Sequence, residues 1–142
     1  MEYSDILNKV KRIHMVGIGG SGMCAIAEIL HARGFALTGS DVNESDNVAR
    51  MRTLGIPVAM KQCAENVGDT DLVAYTAAVS HTNPELLEAQ ARKIPLIERA
   101  ELLGLITHRY GNTVGVAGTH GKTTTTSMIS QILVMGGQDP TL

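Results

Sequence analysis

Aromatic side chains are nearly absent from this 142-residue chain, which has no tryptophan, one phenylalanine and three tyrosines. So few rings cannot build a base-stacking platform, which argues against single-stranded nucleic acid as a partner. No basic block tracks a phosphate backbone, and the formal net charge is −2. Cysteine is scarce as well. Cys24 and Cys63 are too few for a disulfide framework and lack metal-ligand spacing, so they read as two buried thiols in a reducing compartment. No stretch approaches the ~20 apolar residues of a membrane span, and the N-terminus mixes charged with apolar residues where a signal peptide would have an apolar core. The five histidines show no H-E-x-x-H or other ligand spacing. These absences predict a soluble, cytoplasmic chain with neither membrane nor nucleic acid as partner.

Hydrophobic residues still make up 44% of the sequence, so a core is available and must be aliphatic. Short apolar runs alternate with helix-period segments, the pattern of βα units on a parallel sheet. Strands are expected over residues 12–18, 35–39, 57–60, 72–76, 95–97 and 113–117. Helices are expected over 21–33, 46–54, from Asn83-Pro84 onward, over 99–107 and over 122–135. Pro84 suits a first helical turn, where its missing N–H has no partner to lose. Residues 108–112 are polar and read as a linker between a first domain, 1–107, and the start of a second, 113–142. The expected fold class is α/β: a Rossmann-like parallel sheet with helices on both faces, then the first strand, phosphate loop and helix of a truncated second α/β domain.

Two glycine loops carry the chemistry. Gly17-Ile18-Gly19-Gly20-Ser21-Gly22 fits G-x-G-x-x-G directly after a strand and opens a helix. Such glycines permit a tight turn and let backbone approach a pyrophosphate resting on the helix N-terminus. Asp41 ends the second strand about 20 residues on, where an acid can bond a ribose hydroxyl; alternatively it caps the next segment. The second loop is Gly118-Thr119-His120-Gly121-Lys122-Thr123. It departs from G-x-x-x-x-G-K-[ST] because Val116 stands where the first glycine should fall. The functional parts remain, namely turn glycines whose N–H groups form an anion nest, Lys122 to reach phosphate oxygens, and Thr123 at the helix start to ligate Mg²⁺. Thr124, Thr125 and Thr126 extend a threonine run that helix propensity does not explain. Glu98 and Glu101 read as a solvated helix face.

Taken together, G-I-G-G-S-G-M at 17–23, T-A-A-V-S-H-T-N-P-E at 76–85, I-E-R-A-E-L-L at 97–103 and V-A-G-T-H-G-K-T-T-T at 116–125 resemble the Mur ligases. Within that family the branch adding L-alanine to UDP-N-acetylmuramate is most similar, and the branch recycling murein tripeptide is the nearest confusable one. The resemblance implies that Gly19, Gly20, Ser21 and Gly22 face a UDP-sugar diphosphate, with Asp41 near the uridine and Thr76 and Ala77 on the other side. It implies that Gly118, Thr119, His120, Gly121, Lys122, Thr123 and Thr124 bind ATP, with Lys122 as the catalytic group stabilising the transferring phosphoryl. One departure is Thr76-Ala77-Ala78, where the family pattern has Ser-Ser-Ala.

The implied reaction phosphorylates the muramyl carboxylate with ATP, giving an acyl phosphate that the amine of L-alanine attacks, in peptidoglycan precursor synthesis. Because the family places the adenine pocket, further metal ligands and amino-acid domain in later sequence, this chain is expected to bind the UDP-sugar without completing ligation. Two other readings stand beside it: a non-catalytic nucleotide-sugar-binding module, and an NAD-binding Rossmann domain. Met128, Ile129, Ile132, Leu133 and Met135 form an apolar stripe on the last helix, so residues 113–142 are expected to pair into a homodimer, in preference to folding back onto the first domain or remaining disordered.

Overall fold

The computed structural model describes residues 5–141. The chain divides into two compact units, Met1–Arg109 and Tyr110–Leu142.

The first unit is built on a parallel five-stranded sheet. Its strands are β1 (Arg12–Val16), β2 (Ala36–Ser40), β3 (Val58–Ala59), β4 (Leu72–Tyr75) and β5 (Leu96–Glu98), in the order β3-β2-β1-β4-β5. The helices of this unit are α1 (Ile6–Lys9), α2 (Ser21–Ala32), α3 (Asp46–Thr53), α4 (Pro84–Ala91) and α5 (Arg99–Thr107), with a 3-10 turn at Ala64–Val67. This is the Rossmann-like α/β arrangement expected from the alternation of apolar runs and helical periods. The short α1 and the 3-10 turn leave no comparable periodic signal.

Alternation along each strand sorts side chains between the two faces. Val16 of β1 and Val73 of β4 pack with Leu86 and Ala89 of α4 and with Val67 of the 3-10 turn. Ile13 and Met15, one residue out of phase with Val16, are also buried, as are Met23, Ile26, Ala27 and Leu30 of α2. Burying an aliphatic side chain of this size is worth about 1.5–3 kcal/mol. With so few aromatics, many such residues must share the load.

Register between β1 and β4, in the middle of the sheet, is pinned electrostatically where the two strands begin. Asp71 Oδ2 accepts from the backbone N–H groups of Lys11 and Arg12, both at 2.9 Å, and Asp71 Oδ1 pairs with Arg12 Nη2 at 2.9 Å. Arg12 also pairs with Asp69. The Arg12 hydrogen bond, followed by the two backbone N–H groups, holds the Asp71 carboxyl well below the usual carboxylate range.

Several boundaries differ from the sequence reading. The first strand ends at Val16, because Gly17 turns out of it with φ +79° and the N–H groups of Gly17 and Ile18 both donate to Ser40 O. Glu98 and Glu101 are more than a solvated face, since Glu101 Oε2 accepts from Glu98 N at 3.3 Å and caps α5. Of the two thiols expected to be buried, Cys24 is, and Cys63 is only half-buried.

In the second unit, α6 spans Lys122–Met135, as its sequence pattern predicts. The expected sixth strand over residues 113–117 is not formed, and the segment carries no regular secondary structure. A strand exists only through its ladder, and all five strands of the described sheet lie between residues 12 and 98.

Candidate functional site

In the strand order β3-β2-β1-β4-β5, successive connections reverse direction between β1 and β4. In open α/β sheets ligands settle outside the carboxyl ends of the strands at such a switch point. A cleft of about 420 Å³ lies there, lined by Gly17, Gly19 and Gly20 after β1, and Asp41, Val42, Asn43 and Ser45 after β2. Gln62 beyond β3, and Thr76, Ala78, Val79 and Ser80 after β4, complete it. A second cleft, around Val10, Lys11, Arg33 and Phe35, sits where β1 and β2 begin, away from these loops.

Glycine at 19 is required by close approach. A Cβ there would lie 2.8 Å from Asp41 Oδ2 and 2.8 Å from Val48 Cγ2. Gly39, in β2, is needed for the same kind of reason, since a Cβ would come within 2.7 Å of Ile18 Cδ1. The loop therefore sits directly on the end of β2. Gly19 N donates to Asp41 Oδ2 at 2.8 Å, and Asn43 N donates to Asp41 Oδ1 at 3.0 Å. Asn47 Nδ2 closes the arrangement by donating to Gly19 O at 2.9 Å. Asp41 thus bonds the protein's own backbone through both carboxylate oxygens, the Asn43 contact being the capping role its sequence position offered, and it also lines the cleft.

The remaining residues implied for the UDP-sugar divide in two. Gly19, Gly20, Asp41 and Thr76 meet in the cleft. Ser21 and Gly22 lie beyond it in the first turn of α2, and Ala77 is exposed on the β4–α4 loop outside the lining. Gly22 faces another element, because a Cβ on it would stand 3.0 Å from Arg99 Nη1. Arg99, the first residue of α5, thereby brings a guanidinium to the N-terminal turn of α2. Its part in I-E-R-A-E was visible in the sequence, but its position was not.

Beneath the cleft lies a buried polar network around Asn83 and Glu85, at the end of the 76–85 motif, whose contacts the motif did not announce. Glu85, in the first turn of α4, is fully buried. Its Oε2 accepts from Ser40 Oγ at 2.7 Å, and its Oε1 accepts from Asn66 Nδ2 at 2.6 Å and lies 3.4 Å from His14 Nε2. His14 Nδ1 pairs with Thr38 Oγ1 at 2.8 Å. Asn83 caps α4, its Oδ1 accepting from Glu85 N and Leu86 N, while its Nδ2 donates to Gln62 Oε1 at 2.7 Å. Among the described residues no buried side-chain N or O lacks a partner, which such a network requires to be stable. It ties β1, β2, the 3-10 turn and α4 together under Ser40, whose carbonyl anchors Gly17 and Ile18.

The second glycine loop, in the other unit, is exposed. Gly118 and Gly121 take φ of +152° and +77°, and Gly121 is the N-cap of α6. No side-chain oxygen caps this helix start, and Lys122 Nζ donates to Gly118 O at 2.6 Å, spanning the loop. Thr123 stands at the second helical position, and the hydroxyls of Thr126 and Ser127 turn back onto the carbonyls of Lys122 and Thr123. Positive-φ glycines, an open helix N-terminus, a lysine and an exposed hydroxyl are a donor set that fits phosphate and Mg²⁺. Among the described residues no group of three His, Cys, Asp or Glu side chains could hold a metal by itself. No helix among them is long and apolar enough to cross a membrane.

Comparison with known proteins settles the family. The model of the Mur ligase family, catalytic domain, matches residues 12–110. The chain belongs to the Mur ligase family. Among curated Mur ligases, the UDP-N-acetylmuramate–L-alanine ligase of Legionella pneumophila (strain Corby) is 49% identical over 94% of this chain, which covers 28% of that protein. The corresponding enzyme of Agathobacter rectalis is 50% identical over 99% of this chain and 31% of its own length. The chain thus spans about three-tenths of the relatives it matches. Among solved structures, the UDP-N-acetylmuramate-alanine ligase from Thermotoga maritima superposes with a TM-score of 0.82 at 38% identity, over 87% of this chain and 29% of that one. A UDP-N-acetylmuramate:L-alanyl-γ-D-glutamyl-meso-diaminopimelate ligase from Neisseria meningitides also gives 0.82, at 29% identity over 89% of this chain and 40% of its own. Backbone shape therefore does not separate the two branches. Sequence identity favours the alanine-adding one.

Proposed function

We propose that this chain supplies the UDP-N-acetylmuramate site and the ATP phosphate loop of a cytoplasmic, ATP-dependent ligase that joins L-alanine to the sugar's carboxylate in peptidoglycan precursor synthesis. The observation carrying this reading is the cleft at the sheet's switch point, where the 17–22 loop faces the β4–α4 loop. A diphosphate rests on the N–H groups at the start of α2, which the helix dipole favours, with Arg99 beside that turn as a counter-charge. Thr76 flanks the opposite side of the cleft. Asp41 acts on the nucleotide indirectly by holding Gly19 in place.

At the second loop, Gly118, Thr119, His120, Gly121, Lys122, Thr123 and Thr124 hold the ATP phosphates, with Thr123 contributing to a Mg²⁺ site. Bound Mg²⁺ neutralises charge on the phosphate oxygens, as in other phosphoryl transfers. Lys122 leaves Gly118 O and directs its ammonium at the transferring phosphoryl, stabilising the charge that develops there. The activated muramyl carboxylate, an acyl phosphate, is then open to the amine of L-alanine. Exposed Met128, Ile132, Val134 and Met135 support self-association through residues 113–142.

Calorimetric titration with UDP-N-acetylmuramate, ATP and NAD tests the reading. Saturable binding of UDP-N-acetylmuramate and none of NAD is expected. Failure of the UDP-sugar to bind would overturn it, and binding of NAD in its place would reinstate the dinucleotide reading.

A further inference from the structure

Asp41 is already bonded to the backbone N–H groups of Gly19 and Asn43, and the cleft holds a further polar side chain beyond it. A chain of hydrogen bonds leads to Gln62. Asn83 Oδ1 accepts from Glu85 N and Leu86 N, so that atom can only be the oxygen of the amide. Asn83 Nδ2 must therefore be the group facing Gln62, and it donates to Gln62 Oε1 at 2.7 Å. Asn83 is only 6% exposed, so water does not compete for this contact. The polarity of the helix cap thus sets the orientation of a second amide. With Oε1 turned to Asn83, the part of the Gln62 amide left for a ligand in the cleft is the pair of N–H donors on Nε2. The segment carrying Gln62 is held in turn, since Asn66 Nδ2 donates both to Lys61 O and to the buried Glu85 carboxylate.

Position says which part of a nucleotide Gln62 meets. The glycine loop follows β1, Asp41 follows β2, and Gln62 follows β3, along the outward order β1-β2-β3. Neighbouring strands are about 4.8 Å apart, which puts the end of β3 roughly 10 Å from the phosphate loop. That distance suits the edge of a base remote from its ribose. At that edge uracil carries a carbonyl oxygen, and cytosine an amino group. We propose that Gln62, oriented by Asn83, donates from Nε2 to this carbonyl and so selects uridine over cytidine nucleotides. The inference rests on the UDP-sugar reading of the cleft and adds the residue that chooses the base.

The test measures UDP and CDP affinity by calorimetry on this 142-residue chain and its variants, with thermal melting by circular dichroism to confirm folding. The parent should prefer UDP. Gln62→Leu should weaken UDP about tenfold, the worth of one well-placed hydrogen bond, and leave CDP within about twofold. Gln62→Glu, an acceptor that can take the cytosine amino group, should narrow or reverse the preference. Asn83→Asp keeps the capping oxygen and removes the donor, so the Gln62 amide turns over and presents Oε1 to the cleft. UDP should then weaken as in Gln62→Leu although Gln62 itself is unchanged, which a merely structural role does not predict. Equal losses for UDP and CDP, or unchanged UDP affinity in a folded Gln62→Leu chain, overturn the inference and leave the UDP-sugar site standing. A parent chain that binds neither UDP nor UDP-N-acetylmuramate overturns both.

Discussion

The backbone N–H of Gly19 donates to Asp41 Oδ2 at 2.8 Å, so the acid that follows β2 serves as the anchor of the phosphate loop that follows β1. The same geometry leaves no room for a side chain at 19. A valine there must displace the Asp41 carboxylate and Val48 together. Gly19→Val is expected to lose UDP-N-acetylmuramate binding and about 1–3 kcal/mol of stability through overpacking. Calorimetry and denaturant unfolding check the two effects separately, and binding equal to the parent's would remove the ligand from this loop.

Glu85 lies at the centre of the buried network under the cleft. Glu85→Leu leaves Ser40, Asn66 and His14 without their acceptor, and should cost about 3 kcal/mol or more. Glu85→Gln keeps the volume but turns a donor towards one of those donors, so a smaller loss of about 1–3 kcal/mol is expected. Urea unfolding of both variants gives the order; a stable Glu85→Leu chain would show that the network is not needed.

Asp71 makes acid sensitivity predictable. Its pKa is depressed in the folded chain, so its contribution is present above the unfolded value, about 3.9, and is lost as pH falls through the folded value. Asp71→Asn should therefore unfold at lower urea than the parent at pH 7. The gap should narrow progressively below about pH 4. A gap that stays constant from pH 7 to strongly acid conditions would show that Arg12 and the two N–H groups do not favour the charged form.

Met128, Ile132 and Met135 are 59, 68 and 83% exposed on α6. Light scattering should detect a dimer that becomes monomeric when the chain is cut after Arg109, and Met128→Asp with Ile132→Asp should have the same effect. A monomer at high concentration would exclude pairing through this helix.

Local chemistry made much of this protein legible. The apolar runs around Ile13 and Val73, the Pro84 helix start and the 122–135 helix could be placed because strand alternation, proline geometry and helical period act over a few residues. The first glycine loop was recognisable because its spacing reports a turn the backbone must make. Residues 113–117 had the composition of a strand, but composition supplies no partner, and they form none. Tertiary structure alone set Asp41 against Gly19, since an acid after β2 gives no sign in sequence of which backbone N–H groups it will meet. It alone brought Gln62 to the cleft and turned its amide, through Asn83, from a side chain 21 positions away. Glu85 closes the motif at 76–85, but its bonds to His14, Ser40 and Asn66 carry no signal in sequence, because a buried hydrogen-bond network is a property of distances between elements, and those are set only when the sheet and its helices pack.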